Sequence, residues 1–211
     1  MSSGLYKYNG QKWNLDDRVY ISDPMALWGY ENNVWIGNDN GCIWKFTGDS
    51  YTQELGNLKI DESLVMFYDM AGSSNNEIYT VGYNGPTNCM PVIMKYNGSI
   101  WSLDKKLADL GVFNQIKYAH RNDKYYLGLS LVDYSMEIYE YDRKNLSLIY
   151  KKEKGDNIFT SFAVIDGYAY IVVDNKIYRY YNGNMEFIFE VDVNLPPNCR
   201  QEEKQLYLEK I

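Results

Sequence analysis

The 211-residue chain predicts an all-β fold built from repeated four-stranded antiparallel units. Three observations carry this expectation. Five segments repeat one period-two pattern that ends in a turn. A second set of alternating segments lies upstream of four of them, each after a polar turn. No stretch shows a long apolar stripe of helical period. Aromatic residues make up 16% of the chain, with 22 Tyr, 7 Phe and 5 Trp, and such side chains favour strands.

The five segments are Leu5-Tyr6-Lys7-Tyr8-Asn9-Gly10, Ile43-Trp44-Lys45-Phe46-Thr47-Gly48, Ile93-Met94-Lys95-Tyr96-Asn97-Gly98, Ile138-Tyr139-Glu140-Tyr141-Asp142 and Ile177-Tyr178-Arg179-Tyr180-Tyr181-Asn182-Gly183. Each reads aliphatic, large, charged, aromatic, then turn. Their second positions are 6, 44, 94, 139 and 178, so 172 residues over four intervals give a mean step of 43. Asn-Gly fits a tight hairpin in which both central residues take positive φ. A further strand follows four of the turns, at Lys12–Leu15, Ser50–Glu54, Ile100–Leu103 and Met185–Phe189. Upstream lie Asn33–Gly37, Ile78–Gly82, Lys124–Gly128 and Tyr168–Val172, preceded by Met25–Gly29, Phe67–Gly72, Gln115–Ala119 and Ser161–Ile165. The unit therefore has four strands, A to D in chain order.

Four antiparallel strands repeated every 40–50 residues are the pattern of a β-propeller blade. Four whole units run from about Ser22 to Val191. The N-terminus supplies only C and D strands, and Arg200–Glu209 reads as an A–B turn and B strand. The expectation is one domain over residues 1–211, a propeller of five blades closed by N- and C-terminal strands, which removes exposed sheet edges. A short helical turn fits only at Lys105–Val112.

These segments resemble the β-propeller repeat proteins, loosely the kelch and WD40-like group. They look most like bacterial propellers whose blades read aromatic-x-Gly, then Ile-x-x-Tyr-Asn-Gly-x-x-Trp. The Gly-His and Trp-Asp marks of true WD40 blades are absent. Asn9-Gly10-Gln11-Lys12-Trp13 and Asn97-Gly98-Ser99-Ile100-Trp101 only echo the end of the sialidase-type box. The resemblance implies a fold. A five-blade count is shared with tachylectin-type lectins and five-bladed glycoside hydrolases.

Composition excludes several functions. Lys plus Arg number 21 and Asp plus Glu 28, a net charge of −7, which suits a phosphate backbone poorly. No nucleic-acid binding is expected, and a gel shift at physiological salt should show no salt-sensitive retention of DNA or RNA. No apolar run approaches the about 20 residues of a membrane-spanning helix, and the N-terminus lacks a signal-peptide core. The location expected is cytoplasmic as written, and extracellular or cell-surface if a leader was removed. Cys42, Cys89 and Cys199 are an odd number at wide spacings and read as free thiols. Phosphate loops, calcium loops and metal-ligand spacings are missing, so no cofactor or metal is expected.

Catalytic sets are equally sparse. The one histidine, His120, falls at an A–B turn with no Ser or Cys partner in the pattern. Asp61, Glu62, Asp133, Asp156 and Asp174 lie at loops, where carboxylates are usually solvated. Asp69 differs, because a charge on an A strand must face a wet channel or be paired. Trp44, Tyr139 and Tyr178 recur at a fixed position and read as packing between units. The reading that follows is a non-catalytic binding or scaffold propeller for a protein or small ligand. The alternatives are a carbohydrate-binding, lectin-like propeller and, after it, a five-bladed glycoside hydrolase.

The binding site is expected where the B–C loops meet. Tyr83–Pro91 and Ser130–Ser135 are longer than the equivalent Asn38–Gly41, and lengthened loops carry function more often than short ones. The candidate site is bounded by Tyr83, Asn84, Asp133 and Tyr134 and floored by the channel residues Trp28, Asp69 and Lys117.

Overall fold

The computed structural model describes residues 5–85, 89–108, 110–152, 161–173 and 175–190. β1 (Leu5–Tyr8) and β2 (Trp13–Asp16) form a hairpin. Sheet I holds β3 (Pro24–Tyr30), β4 (Asn33–Asn38), β5 (Ile43–Phe46) and β6 (Tyr51–Leu55). Sheet II holds β7 (Lys59–Ile60), β8 (Ser63–Ser74), β9 (Glu77–Asn84), β10 (Met90–Tyr96) and β11 (Trp101–Lys106). Sheet III holds β12 (Gly111–Ala119), β13 (Lys124–Leu131), β14 (Met136–Tyr141) and β15 (Leu146–Lys152). Sheet IV holds β16 (Ser161–Ile165), β17 (Tyr168–Val173), β18 (Lys176–Tyr181) and β19 (Asn184–Glu190). Strands pair antiparallel in chain order, so the fold is all-β with several four-stranded antiparallel sheets.

Among the described residues, each A to D segment expected from the repeat coincides with a strand to within a residue or so at its ends. Two strands were not expected, β7 and the D strand β15. The helical turn expected at Lys105–Val112 is a correction. Residues 105–106 end β11, and residues 111–112 open β12. The backbone there bonds outward instead: Leu107 N donates to Pro91 O at 3.0 Å and Gly111 N to Cys89 O at 2.6 Å. The closing strand at residues 200–209, Asp156, Asp174 and Cys199 lie outside the described residues.

The Asn-Gly turns divide into two kinds. Asn182 and Gly183 take φ of 48° and 83°, the expected two-residue hairpin. At Asn9-Gly10 and Asn97-Gly98 only the glycine is positive, at 94°. There the asparagine works through its side chain: Asn9 Oδ1 accepts from Gln11 N and Lys12 N, both at 3.0 Å, and Asn97 Oδ1 from Ser99 N and Ile100 N. Asp142 replaces that acceptor in sheet III, and Arg143 takes the glycine's place at φ 76°.

Sheets stack face to face in chain order, with three apolar seams between them. The first seam joins sheets I and II through Trp35, Ile43, Phe67, Ile78, Met94 and Tyr96. The second joins II and III through Tyr79, Val81, Phe113, Ile116, Tyr125 and Tyr141. The third joins III and IV through Tyr126, Ile138, Phe162, Ile171 and Tyr180. The A strands of successive sheets lie side by side. Tyr139 and Tyr178 pack against the second and third seams, as their repeat position implies.

Candidate functional site: the B–C loop face

Bulges set the inner ends of the sheets. β3, β8 and β12 each carry an extra residue there, at Met25, Tyr68 and Asn114, and β8 has a second at Ser73 near its far end. A bulge re-aims its side chain and strengthens local twist. The Tyr68 ring meets Tyr83 at 5.8 Å between centroids, and Asn114 Nδ2 donates to Ser130 Oγ at 2.8 Å. Gly82 faces the sheet II bulge, where a Cβ would stand 1.8 Å from Met66 O, so no side chain fits.

The two long loops are shorter than the sequence suggests, because the strands run on into them. Tyr83 pairs with Pro91, and Asn84 with Met90, so both are ladder residues. Tyr83 is half-buried, and burial together with Tyr68 pushes its hydroxyl up to about 12. Asn84 is buried, and its Nδ2 donates to Ile60 O at 3.2 Å, which pins β7. Residues 86–88 of this loop lie outside the described residues.

In sheet III the loop tightens into a turn. Leu131 N donates to Ser135 O and Tyr134 N to Leu131 O, both at 3.0 Å. Asp133 Oδ1 accepts from Ser135 N at 2.9 Å and Ser135 Oγ at 2.6 Å, and these bonds hold its carboxyl below the usual range. Tyr134 sits at the apex with φ 68° and 84% of its surface exposed. Val132, 58% exposed, donates its N–H to the carbonyl of Leu110, itself 44% exposed. The result is a small apolar prominence on a turn fixed by five hydrogen bonds. Asp61 and Glu62, exposed at φ 49° and 64°, stand at the same end of sheet II.

The residues expected to floor the site behave differently. Asp69 Oδ2 accepts from Lys117 Nζ at 2.6 Å and Ile116 N at 2.9 Å, and Oδ1 from Met70 N at 3.0 Å. The A-strand charge is paired and staples β8 to β12. Trp28 stacks on Tyr30 at 6.0 Å and lies over Gly72. Gly72 is six residues along β8 from Met66, the partner of Tyr83, or roughly 20 Å at strand rise. Trp28 therefore stands near the A–B turns, away from the loop rim. The structure ties the two B–C loops together through Leu110 and Gly111 and leaves Trp28 outside that group.

One recurring set went unread in the sequence. Asp16, Glu54 and Asp104 each stand three residues after an aromatic that opens a D strand: Trp13, Tyr51 and Trp101. Each acid accepts from an aromatic of the next unit in the stack. Tyr51 Oη donates to Asp16 at 2.8 Å, Trp101 Nε1 to Glu54 at 3.1 Å, and Tyr141 Oη to Asp104. Glu54 also accepts from Trp35 Nε1 at 3.1 Å. These acids latch neighbouring sheets. His120 is an exposed turn residue, Cys42 is buried against Asn57, and Cys89 is half-buried; both cysteines are free thiols.

No family model matches the chain, and no curated protein matches it. Among solved structures it is similar to the extracellular domain of a putative one-component system from B. thetaiotaomicron, with a TM-score of 0.64 at 15% identity. That match covers 92% of this chain and 26% of the other, so the chain spans about a quarter of its neighbour's length. The likeness is one of fold.

Proposed function

We propose that the four-stranded sheets are blades of a β-propeller, and that the chain is a non-catalytic binding module that docks a protein through its B–C loop face. Tyr134 is the central contact, flanked by Val132 and Leu110. The observation that carries this reading is the conformation of Tyr134. A bulky residue in the left-handed region costs about 1–2 kcal/mol, and an exposed ring recovers little of that from packing. Tyrosine is also among the residues enriched at the centres of protein interfaces. Asp133 belongs to this site as the residue that shapes the turn. Asn84 and Tyr83 support it from the sheet, and Asp69 with Lys117 holds the inner strands in place. The solved neighbour is the extracellular domain of a putative one-component system, an analogy that favours recognition over turnover and a location outside the cell. Asp61 is already paired with Lys106, so the fitting partner offers an apolar cleft for Tyr134 beside a basic group that meets Glu62 and Asp133.

The first test needs no partner. Replacing Tyr134 by Gly should stabilise the protein by up to about 1 kcal/mol in urea unfolding, because glycine takes this φ freely. A loss of more than about 1 kcal/mol would make Tyr134 a structural residue and remove the basis of the reading.

A further inference from the structure

Trp28, which stands apart from the loop rim, belongs to a run of rings in contact. Trp101 meets Tyr96 at 5.1 Å between centroids, Tyr96 meets Trp35 at 6.0 Å, Trp35 meets Trp28 at 5.5 Å, and Trp28 stacks on Tyr30 at 6.0 Å. Rings at these separations touch by edge or by face. The run starts on the outer strand β11, passes through β10 and β4 across the first seam, and ends on the inner strand β3. Gly72 admits it, because a Cβ there would stand 2.7 Å from the Trp28 ring. Exposure concentrates at one end. Trp101, Tyr96 and Trp35 are buried, Trp28 is half-buried, and Tyr30 is 40% exposed.

One carboxylate serves all the buried members. Glu54 Oε2 accepts from Trp35 Nε1 and Trp101 Nε1, both at 3.1 Å, and Oε1 accepts from Tyr96 Oη at 3.4 Å. A negative charge against these rings lowers the cost of removing an electron from them, and more so inside a protein than in water. Lys45 acts the other way on one ring. Its ammonium lies 4.9 Å over Trp35 and disfavours positive charge resting there. A phenol is oxidised with loss of its hydroxyl proton. Tyr96 has only a long bond to Glu54, whereas the exposed Tyr30 releases its proton to water. The second seam offers no equivalent. Tyr141, Tyr79, Tyr125 and Tyr118 are also in contact, at 5.7, 4.7 and 4.9 Å, but all are phenols. Among the described residues, the buried Tyr79 hydroxyl there has no hydrogen-bond partner to take its proton.

We infer that this run is a path for oxidising equivalents, along which a one-electron oxidant acting at Trp101 is finally reduced by Tyr30. The oxidant class is a strong one-electron acceptor, such as a sulfate or carbonate radical or an oxidised ruthenium polypyridyl complex. Trp101 gives an electron to the oxidant and is restored by Tyr96. Tyr96 is restored by Trp35, and Trp35 by Trp28. The protons of these rings remain on their bonds to Glu54. Tyr30 supplies the last electron, and its hydroxyl proton passes to water. The oxidant gains one electron, the solvent gains one proton, and Tyr30 becomes a neutral phenoxyl radical. Oxidation is thereby moved from rings that close a core seam to a ring at the surface.

The test places the oxidant at the starting end. Ile100 is 61% exposed and adjoins Trp101. The variant Ile100→Cys, in a Cys89→Ser/Cys199→Ser background that leaves only the buried Cys42, is labelled with a ruthenium polypyridyl complex. Flash-quench oxidation of the label, followed by transient absorption, should give a tryptophan radical that decays into a tyrosyl radical. Tyr30→Phe should cut the tyrosyl yield several-fold and prolong the tryptophan radical, with the melting temperature unchanged. Trp28→Phe should also cut the tyrosyl yield several-fold, although Tyr30 is still present. A label reduced no faster than in the Trp101→Phe protein would show that the path has no entry and would overturn the proposal. An undiminished tyrosyl yield in Tyr30→Phe or in Trp28→Phe would place the radical on another tyrosine or another route, and would overturn it equally.

Discussion

Trp35→Ala is expected to lower stability by about 4 kcal/mol, a shift of roughly 10 °C in melting temperature for a domain of this size. Trp35 is fully buried at the seam between sheets I and II. Its ring meets Trp28 at 5.5 Å and Tyr96 at 6.0 Å, and Lys45 lies 4.9 Å over its face. Truncation leaves a cavity between two sheets that cannot collapse without shifting their ladders. It also removes one of the two indole donors on Glu54 Oε2; Trp101 is the other, and Tyr96 Oη donates to Oε1 at 3.4 Å. Trp35→Phe keeps most of the volume and isolates the hydrogen-bond loss, about 1–2 kcal/mol. Because both indoles share Glu54, the effects of Trp35→Phe and Trp101→Phe should not add in urea unfolding. Additive losses would show that the shared carboxylate is not coupling the two sheets.

Arg143→Ala is expected to cost about 2–3 kcal/mol, below the range for fully buried pairs because both partners keep some solvent contact. The Arg143 guanidinium grips Glu77 side-on, Nε to Oε1 and Nη2 to Oε2, both at 2.8 Å, and so joins sheet III to sheet II. It also donates to Asp123 Oδ1 at 2.6 Å and to the Asp123 carbonyl at 2.5 Å. The residue holds φ 76° where the equivalent turns have Gly10, Gly48 and Gly98 at 94°. An arginine is strained there, so the gain from the ion pair must exceed that strain. Arg143→Gly should therefore cost about 1 kcal/mol less than Arg143→Ala, since glycine relieves the backbone. The bonds from Arg143 hold the Glu77 carboxyl below its usual range. A lowered folded-state value contributes stability above the unfolded value, about 4.3, and that contribution is lost as pH falls through the folded value. The gap between the parent and Arg143→Ala should be widest near pH 7 and shrink below about pH 4. A gap independent of pH would assign the loss to packing on Tyr125, over which the guanidinium lies at 5.4 Å.

The strands were legible because their apolar periodicity survives in the sequence, as at Ser161–Ile165, which coincides with β16. The latch residues were not, for a physical reason. Each C–D ladder of sheets I to IV shifts register by one residue, and the extra residues are Glu54, Asp104, Ile149 and Ile188. A bulge resets alternation, so counting by twos puts Glu54 on the wrong face. The same shift hid β15, whose Leu148-Ile149-Tyr150 run does not alternate. At the candidate site, Asp133 and Tyr134 could be chosen from loop length alone. The positive φ of Tyr134 could not, because no glycine marks it. Trp28 was expected on the floor of the site because topology names the inner strand, whereas depth along that strand depends on register.

The measurement that tests the binding face most directly is photo-cross-linking from position 134. A photoreactive amino acid is placed there and, in separate proteins, at Leu110, Val132, and the exposed His120 at the opposite, A–B turn end. Each protein is expressed and irradiated in cells of the source organism. The account predicts one discrete protein adduct, shared by positions 110, 132 and 134 and missing from position 120. Adducts from position 120 alone, or the same faint ladder from all four, would contradict a docking face built on Leu110, Val132 and Tyr134.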